Sequence, residues 1–258
     1  MEEGMRVKLT VAYDGTNYHG WQIQNNALSV EEVLTKALRE LLGEETELTG
    51  ASRTDAGVHA LGNVAVFDTN TRIPAEKIAI AVNQRLPEDI RVMRSEEVPQ
   101  SFHPRYCASR KTYEYRITNA EIQQPVKRLY SHFVYIPLNV ERMKETAKYF
   151  CGEHDFAGFC SAGSQVRTTV RTIDDLQIFQ EDEDICIRIT GNGFLYNMVR
   201  IIAGTLIEIG MGRREPETVC QALRQADRSL AGPTAPARGL KLMQIEYDEN
   251  RQEYRDDN

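Results

Sequence analysis

The stretch 29-SVEEVLTKALRELLG-43 sets the frame of the chain. Ser29 is a capping residue and Glu32 follows three positions later, the arrangement in which a hydroxyl and a carboxylate satisfy the first amides of a helix. Gly43 supplies the stop, so a helix is expected over Val30–Leu42. Upstream, Val7–Tyr13 alternates as a strand does. Downstream, Glu47–Ser52 and Gly62–Asp68 read as two more strands. Pro74 suits the first turn of a second helix, which runs to about Leu86 and ends at Pro87. Ile90–Val98 completes the order β-α-β-β-α-β.

The second half repeats this order with additions. Lys111–Thr118 is a strand and His132–Pro137 an added one. Asn139 caps a helix over Val140–Phe150. Strands at Thr172–Gln180 and Asp184–Gly191 are joined through the acidic turn 181-EDED-184. A helix over Tyr196–Ile209, a short helix after Pro216 and a last strand at Leu240–Tyr247 follow. Each half therefore reads as a ferredoxin-like (RRM-like) unit with helices on one face of an antiparallel sheet, an α+β class. The expected division is 1–104, 105–247 and an acidic tail, 248-DENRQEYRDDN-258, expected to fray. Two such halves would leave a cleft between them.

Composition excludes several classes. The 258 residues are 41% hydrophobic and 27% charged, which rules out a disordered or collagen-like chain. The longest apolar runs are short, and Arg200 and Glu208 interrupt 198-MVRIIAGTLIEIGMG-212, so no membrane span is expected. The start, MEEGMRVKLTVAYDG, lacks the basic, apolar and cleavage regions of a signal peptide. The five cysteines include no CxxC pair, and reduced thiols in the cytoplasm are the expected reading. Cys151, Cys160 and His154 fit no standard zinc spacing, no HExxH or G-x-S-x-G occurs, and no full nucleotide-binding fingerprint is present, so neither metal nor cofactor is expected.

The net charge of −7 speaks against a general nucleic-acid coat, but it is unevenly spread. Residues 1–100 carry 10 basic and 16 acidic side chains, whereas 101–128 carry six basic (Arg105, Arg110, Lys111, Arg116, Lys127, Arg128) against Glu114 and Glu121. A locally basic surface is expected if these residues come together.

Three segments could carry chemistry. In 50-GASRTDAGVHA-60, Gly57 permits a sharp turn just after Asp55. A carboxylate at such a tip, kept ionised by Arg53 two residues away, can serve as nucleophile or general base; the plainer alternative is an Asx-turn in a tight loop. In 111-KTYEYRI-117, Tyr113 and Tyr115 share one strand face, either as a stacking platform for bases or as core. In 193-GFLYNMVRIIAG-204, Arg200 lies on an apolar stretch and must find a carboxylate or phosphate, Asp55 or another acid.

Taken together, 13-YDGTNYHGWQ-22, 52-SRTDAGVHA-60, 102-FHPRYCASRKTYEYRI-117, 152-GEHDFAGF-159, 169-TVRTI-173, 193-GFLYNMVRIIAG-204 and 233-PTAPARGL-240 resemble, in order, the motifs of the tRNA pseudouridine synthase A family. The resemblance implies the pseudouridine synthase fold and a cofactor-free isomerase that modifies uridine at positions 38, 39 and 40 of the tRNA anticodon stem-loop. It implies Asp55 as nucleophile, attacking sugar or base or assisting elimination, and Tyr113 against the flipped uracil. Arg200 would pair with Asp55, and Arg53 would contact RNA and help fill the space the base leaves. A homodimer gripping one tRNA is also implied. Two other classes fit the residues alone: a non-catalytic RNA binder on the same scaffold, with no need for Asp55, and an enzyme of a small sugar or nucleoside using Asp55 with Arg200, with no need for the basic segment.

Overall fold

The computed structural model describes residues 4–163 and 166–248; nearly all of the tail expected at 248–258 lies outside the described residues. These residues divide by their contacts into two units, 4–108 with 242–248, and 109–241. Both are mixed α+β.

The first unit holds β1 (Met5–Tyr13), α1 (Val30–Leu42), β2 (Thr49–Gly50), β3 (His59–Thr69), α2 (Ala75–Val82) and β4 (Ile90–Val98). β1 is central: it pairs antiparallel with β3 on one side and with β4 on the other. The free edge of β3 takes the two-residue β2 opposite Val66 and Ala65. It also takes the final strand of the chain, Leu240–Tyr247. The order β4-β1-β3-β2 of a β-α-β-β-α-β chain is the ferredoxin-like arrangement expected from the periodicity. Alternation supplies the core: Val7, Leu9 and Val11 of β1 are fully buried, as are Leu34 and Leu38 of α1 and Ile78 and Val82 of α2.

Caps account for the helix bounds. The Ser29 hydroxyl accepts the Glu32 amide hydrogen at 3.3 Å, and Gly43 ends α1 at φ 68°. α2 is four residues shorter at its end than expected. Asn83 donates to the Val92 carbonyl and accepts from the Val92 amide, both at 2.8 Å, so it serves β4 instead of extending the helix. Pro74 stands one position before α2, at ψ 139°, not inside its first turn.

The second unit holds β5 (Ser109–Asn119), β6 (His132–Val134), α3 (Val140–Ala147), β7 (Gly152–Asp155), β8 (Val170–Glu181), β9 (Asp184–Gly191), α4 (Met198–Gly210) and α5 (Glu217–Gln225). β5 pairs antiparallel with β9, β9 with β8, and β8 with β7; β6 runs parallel to β5. β7 was not expected: four residues, none of them buried, leave no apolar alternation to read. β10 (Leu240–Tyr247) begins in this unit and ends in the first.

One face of the second sheet is apolar, with Tyr115, Ile117, Ile187 and Ile189 buried. The other carries a charged network. Glu114, 2% exposed, is bonded by Arg188 at 2.7 Å and Arg116 at 3.1 Å, and Lys241 lies 3.6 Å away. Arg116 also reaches Glu181 and Asp184, and Lys127 reaches Asp184 at 2.9 Å. Arg110 pairs with Asp174 at 3.0 Å. These pairings correct the expected basic strip over 101–128: Arg110, Arg116 and Lys127 among its cations are engaged by carboxylates. Apart from Glu114, on β5 itself, the acids that meet them come from β8 and β9, distant in sequence.

Candidate active site

Asp55 lies in the loop between β2 and β3, half-buried, between buried Thr54 and exposed Ala56. The turn is closed by the main chain: the Val58 amide donates to the Asp55 carbonyl at 3.1 Å, and Gly57 takes φ 78°, where a side chain would be strained. The loop is held from behind by 13-YDGTNYHGW-21. The Trp21 amide donates to the Thr54 carbonyl at 3.2 Å, and the Gly57 amide to the Tyr18 carbonyl at 3.1 Å. The same strip satisfies the start of α1, whose first amides have no partners inside the helix. Val30 donates to the Gly20 carbonyl and Glu31 to the Trp21 carbonyl. α1 and the Asp55 turn are thus both tied to this one segment. Gly20 has φ 87°, and a Cβ there would collide with the Thr54 carbonyl oxygen. Trp21, fully buried, lies so close over Gly50 that no side chain fits there.

Side chains complete the clamp. Tyr13 and Thr54 share a hydrogen bond of 2.7 Å between hydroxyls, and both residues are buried. Asn63, fully buried, donates from one amide nitrogen to the Ser52 carbonyl at 3.1 Å and to the Tyr13 hydroxyl at 3.3 Å. The residues on either side of Arg53 are therefore fixed while Arg53 itself is exposed. Tyr13, Thr54 and Asn63 were not singled out from the sequence. A tyrosine ending an alternating strand and an asparagine inside an apolar one are the only local signals they leave.

Arg105 donates from Nε to the Gly50 carbonyl at 2.7 Å. Burial, and after it the charge of Arg53, lowers its pKa. An arginine remains protonated through such a shift, so Arg53 and Arg105 keep two positive charges close together at this end of the loop.

The second unit carries Tyr113 on β5 and Arg200 on α4. Tyr113 is 7% exposed, and its ring meets Phe194 edge to face at 5.3 Å. Tyr115 is fully buried and donates its hydroxyl to the Pro236 carbonyl at 2.9 Å. Burial raises its pKa. The two-tyrosine stacking platform is corrected by this: Tyr115 is core, its hydroxyl on the Pro236 carbonyl and its ring against Gly239. Arg200 donates from Nε to the Ala235 carbonyl and from Nη1 to the Asn197 side-chain oxygen, each at 2.7 Å. Its own carbonyl accepts from the Ala235 amide at 3.1 Å. Among the described residues no group of three or more His, Cys, Asp or Glu could hold a metal ion, and no helix is long and apolar enough to cross a membrane.

The family model described as tRNA pseudouridine synthase matches residues 9–107 and 146–248. The chain belongs to the tRNA pseudouridine synthase family. It is 52% identical to tRNA pseudouridine synthase A of Thermoanaerobacter sp. (strain X514) over 241 residues, 93% of this chain and 99% of that one. It is also 52% identical to the protein of the same name from Ruminiclostridium cellulolyticum over 243 residues, 94% and 99% of the two chains. Among solved structures, the archaeal box H/ACA sRNP Nop10-Cbf5 complex matches at 13% identity and a TM-score of 0.36, over 78% of this chain and 44% of that one. That likeness is too distant to bear on the chemistry. Membership of the tRNA pseudouridine synthase family makes the chain an isomerase that modifies tRNA, and so decides against a binder without catalysis.

Proposed function

We propose that this isomerase converts uridine to pseudouridine at positions 38, 39 and 40 of the tRNA anticodon stem-loop, with Asp55 as its nucleophile. The observation that carries the reading is the Asp55 turn. Its flanking backbone is bonded on both sides by 13-YDGTNYHGW-21, and its side chain stands at the half-exposed tip. A carboxylate held this way meets a reacting carbon without first paying to order its loop. In the reaction the bond between the sugar and uracil N1 breaks, the base turns, and the sugar carbon joins uracil C5. The proton leaves C5 and one is gained at N1, so nothing is added or lost and no redox partner is required.

The other roles are those the family resemblance implies. A uridine in a stem must leave its stack, at a cost of a few kcal/mol, and an aromatic contact such as Tyr113 returns about 1–3 kcal/mol. Arg200 is the cation that holds Asp55 ionised and aimed. Arg53 and Arg105, two like charges held near each other, suit a phosphate between them, which their mutual repulsion would welcome. Arg53 also fills the space the base leaves. The enzyme acts in the cytoplasm as a homodimer, each tRNA touching both subunits.

The test is incubation with unmodified tRNA, followed by mapping of pseudouridine at single-nucleotide resolution, beside Asp55→Asn. Loss of all three modifications with tRNA binding retained is expected. Full activity in the variant would end the assignment of Asp55, and modification at other uridines would end the assignment of the stem-loop.

A further inference from the structure

Asn197 stands immediately before α4, the position at which asparagine ordinarily accepts a hydrogen bond from an amide in the first helical turn. Here it does not cap. Its backbone is left-handed, at φ 61° and ψ 5°, and its side chain makes no capping bond. The oxygen instead accepts from Arg200 Nη1 at 2.7 Å, and the amide nitrogen donates to the Ser161 hydroxyl at 2.9 Å. Ser161 is held in turn by its own amide, which donates to the Tyr196 carbonyl at 3.1 Å. A residue that gives up its cap and takes a conformation uncommon outside glycine points to a purpose other than starting a helix.

We infer that Asn197 is the positioning residue for the Arg200 guanidinium. The guanidinium is planar, so fixing two of its nitrogens fixes the direction of the third. Ala235 holds Nε through its carbonyl, and Asn197 holds Nη1. The Ala235 carbonyl is itself placed, because its residue's amide donates to the Arg200 carbonyl. Asn197 is placed by Ser161, which also determines which end of its amide faces the arginine: the nitrogen is spent on the serine hydroxyl, leaving the oxygen for the cation. A longer side chain than Asn would push Nη1 away, and a shorter one would not reach it. The inference rests on the proposed role of Arg200 toward Asp55 and extends it by naming what aims the arginine.

The experiment measures single-turnover pseudouridine formation on unmodified tRNA, tRNA affinity and the unfolding midpoint. The variants are Asn197→Gly, Ser161→Ala, Arg200→Ala, and each of the first two combined with Arg200→Ala. Glycine accepts the left-handed backbone, so Asn197→Gly is expected to keep its unfolding midpoint and its tRNA affinity. It is expected to slow the chemical step about 10-fold, the scale of one hydrogen bond to a charged group. Ser161→Ala, which only unseats Asn197, is expected to slow it about 3-fold. Neither is expected to slow the reaction further once Arg200 is alanine, because both act through that side chain. A normal rate in Asn197→Gly, or a loss that multiplies fully with that of Arg200→Ala, would overturn the inference while leaving Arg200 in place. A normal rate in Arg200→Ala would overturn both the inference and the reading beneath it.

Discussion

Tyr13→Phe removes a single oxygen from behind the Asp55 turn, and its cost can be worked from the contacts. The Tyr13 ring is 4% exposed, so the phenylalanine fills the same space and no cavity opens. What changes is hydrogen bonding. The Thr54 hydroxyl, on a residue 8% exposed, loses its 2.7 Å partner. Asn63 loses the longer 3.3 Å contact but keeps the Ser52 carbonyl and the Val64 amide. A buried polar group stripped of its partner costs about 1–3 kcal/mol; with one strong and one weak bond removed, about 2 kcal/mol is expected. At roughly 2–4 °C per kcal/mol for a chain of this size, that is about 4–8 °C in the unfolding midpoint. Thr54 precedes Asp55, so the loosened turn also misplaces the carboxylate, and a displacement of about 1 Å can cost on the order of 100-fold in rate. A fall of about 10-fold in single-turnover rate with little change in tRNA affinity is expected. Tyr13→Phe combined with Thr54→Val leaves neither hydroxyl stranded, and its stability loss is expected to be smaller than that of the two single changes together. The assays are circular dichroism melting and single-turnover pseudouridine formation. An unchanged midpoint and rate in Tyr13→Phe would refute the role of the clamp, and strictly additive losses would refute the pairing of the two hydroxyls.

Three more outcomes are expected. Gly20→Ala puts a side chain at φ 87° against the Thr54 carbonyl oxygen, so a loss of at least about 1–2 kcal/mol and a slower reaction should appear; wild-type melting would count against the close approach. Burial pushes the Glu114 carboxyl up, but the hydrogen bonds from Arg188 and Arg116 and the charge of Lys241 outweigh it and hold its pKa below the ordinary 4.5. Its pairing therefore stabilises the fold above pH 4.5 and is lost as the pH falls through the lowered value, so Glu114→Gln should flatten the acid limb of urea midpoint against pH, and an unaltered limb would dismiss the network. Arg53→Ala should reduce the salt slope of tRNA binding by about 1, whereas Arg116→Ala, already paired with three carboxylates, should lower stability and leave that slope alone; the reverse pattern would place phosphate on Arg116.

Much of the fold was legible because its signals are local. Ser29 and Gly43 bound α1 as expected, and β4, β9 and β10 keep the limits that alternation assigned to them. The exceptions share a cause. α2 ends early because Asn83 serves a strand formed later in the chain, and Tyr115 is core because Pro236, 121 residues downstream, takes its hydroxyl. The candidate side chains were legible as residues: Asp55 before a turn glycine, Tyr113 on an alternating strand, Arg200 among apolar neighbours. The residues that hold them were not. Tyr13 meets Thr54 across 41 positions, Asn63 meets Ser52 across 11, and Ser161 meets Asn197 across 36.

By itself, the sequence determined the order of helices and strands, the turn that carries Asp55 and the family whose motifs the chain repeats. Those depend on periodicity, on caps and on short contiguous strings, which neighbours along the chain are enough to specify. Only the tertiary structure decided which cations are already spent on carboxylates, which tyrosine is sealed in the core, and which asparagine gives up its helix to hold an arginine. Each of those turns on a partner brought close by strand pairing or helix packing, and a charge or a hydrogen bond acts through distance in space.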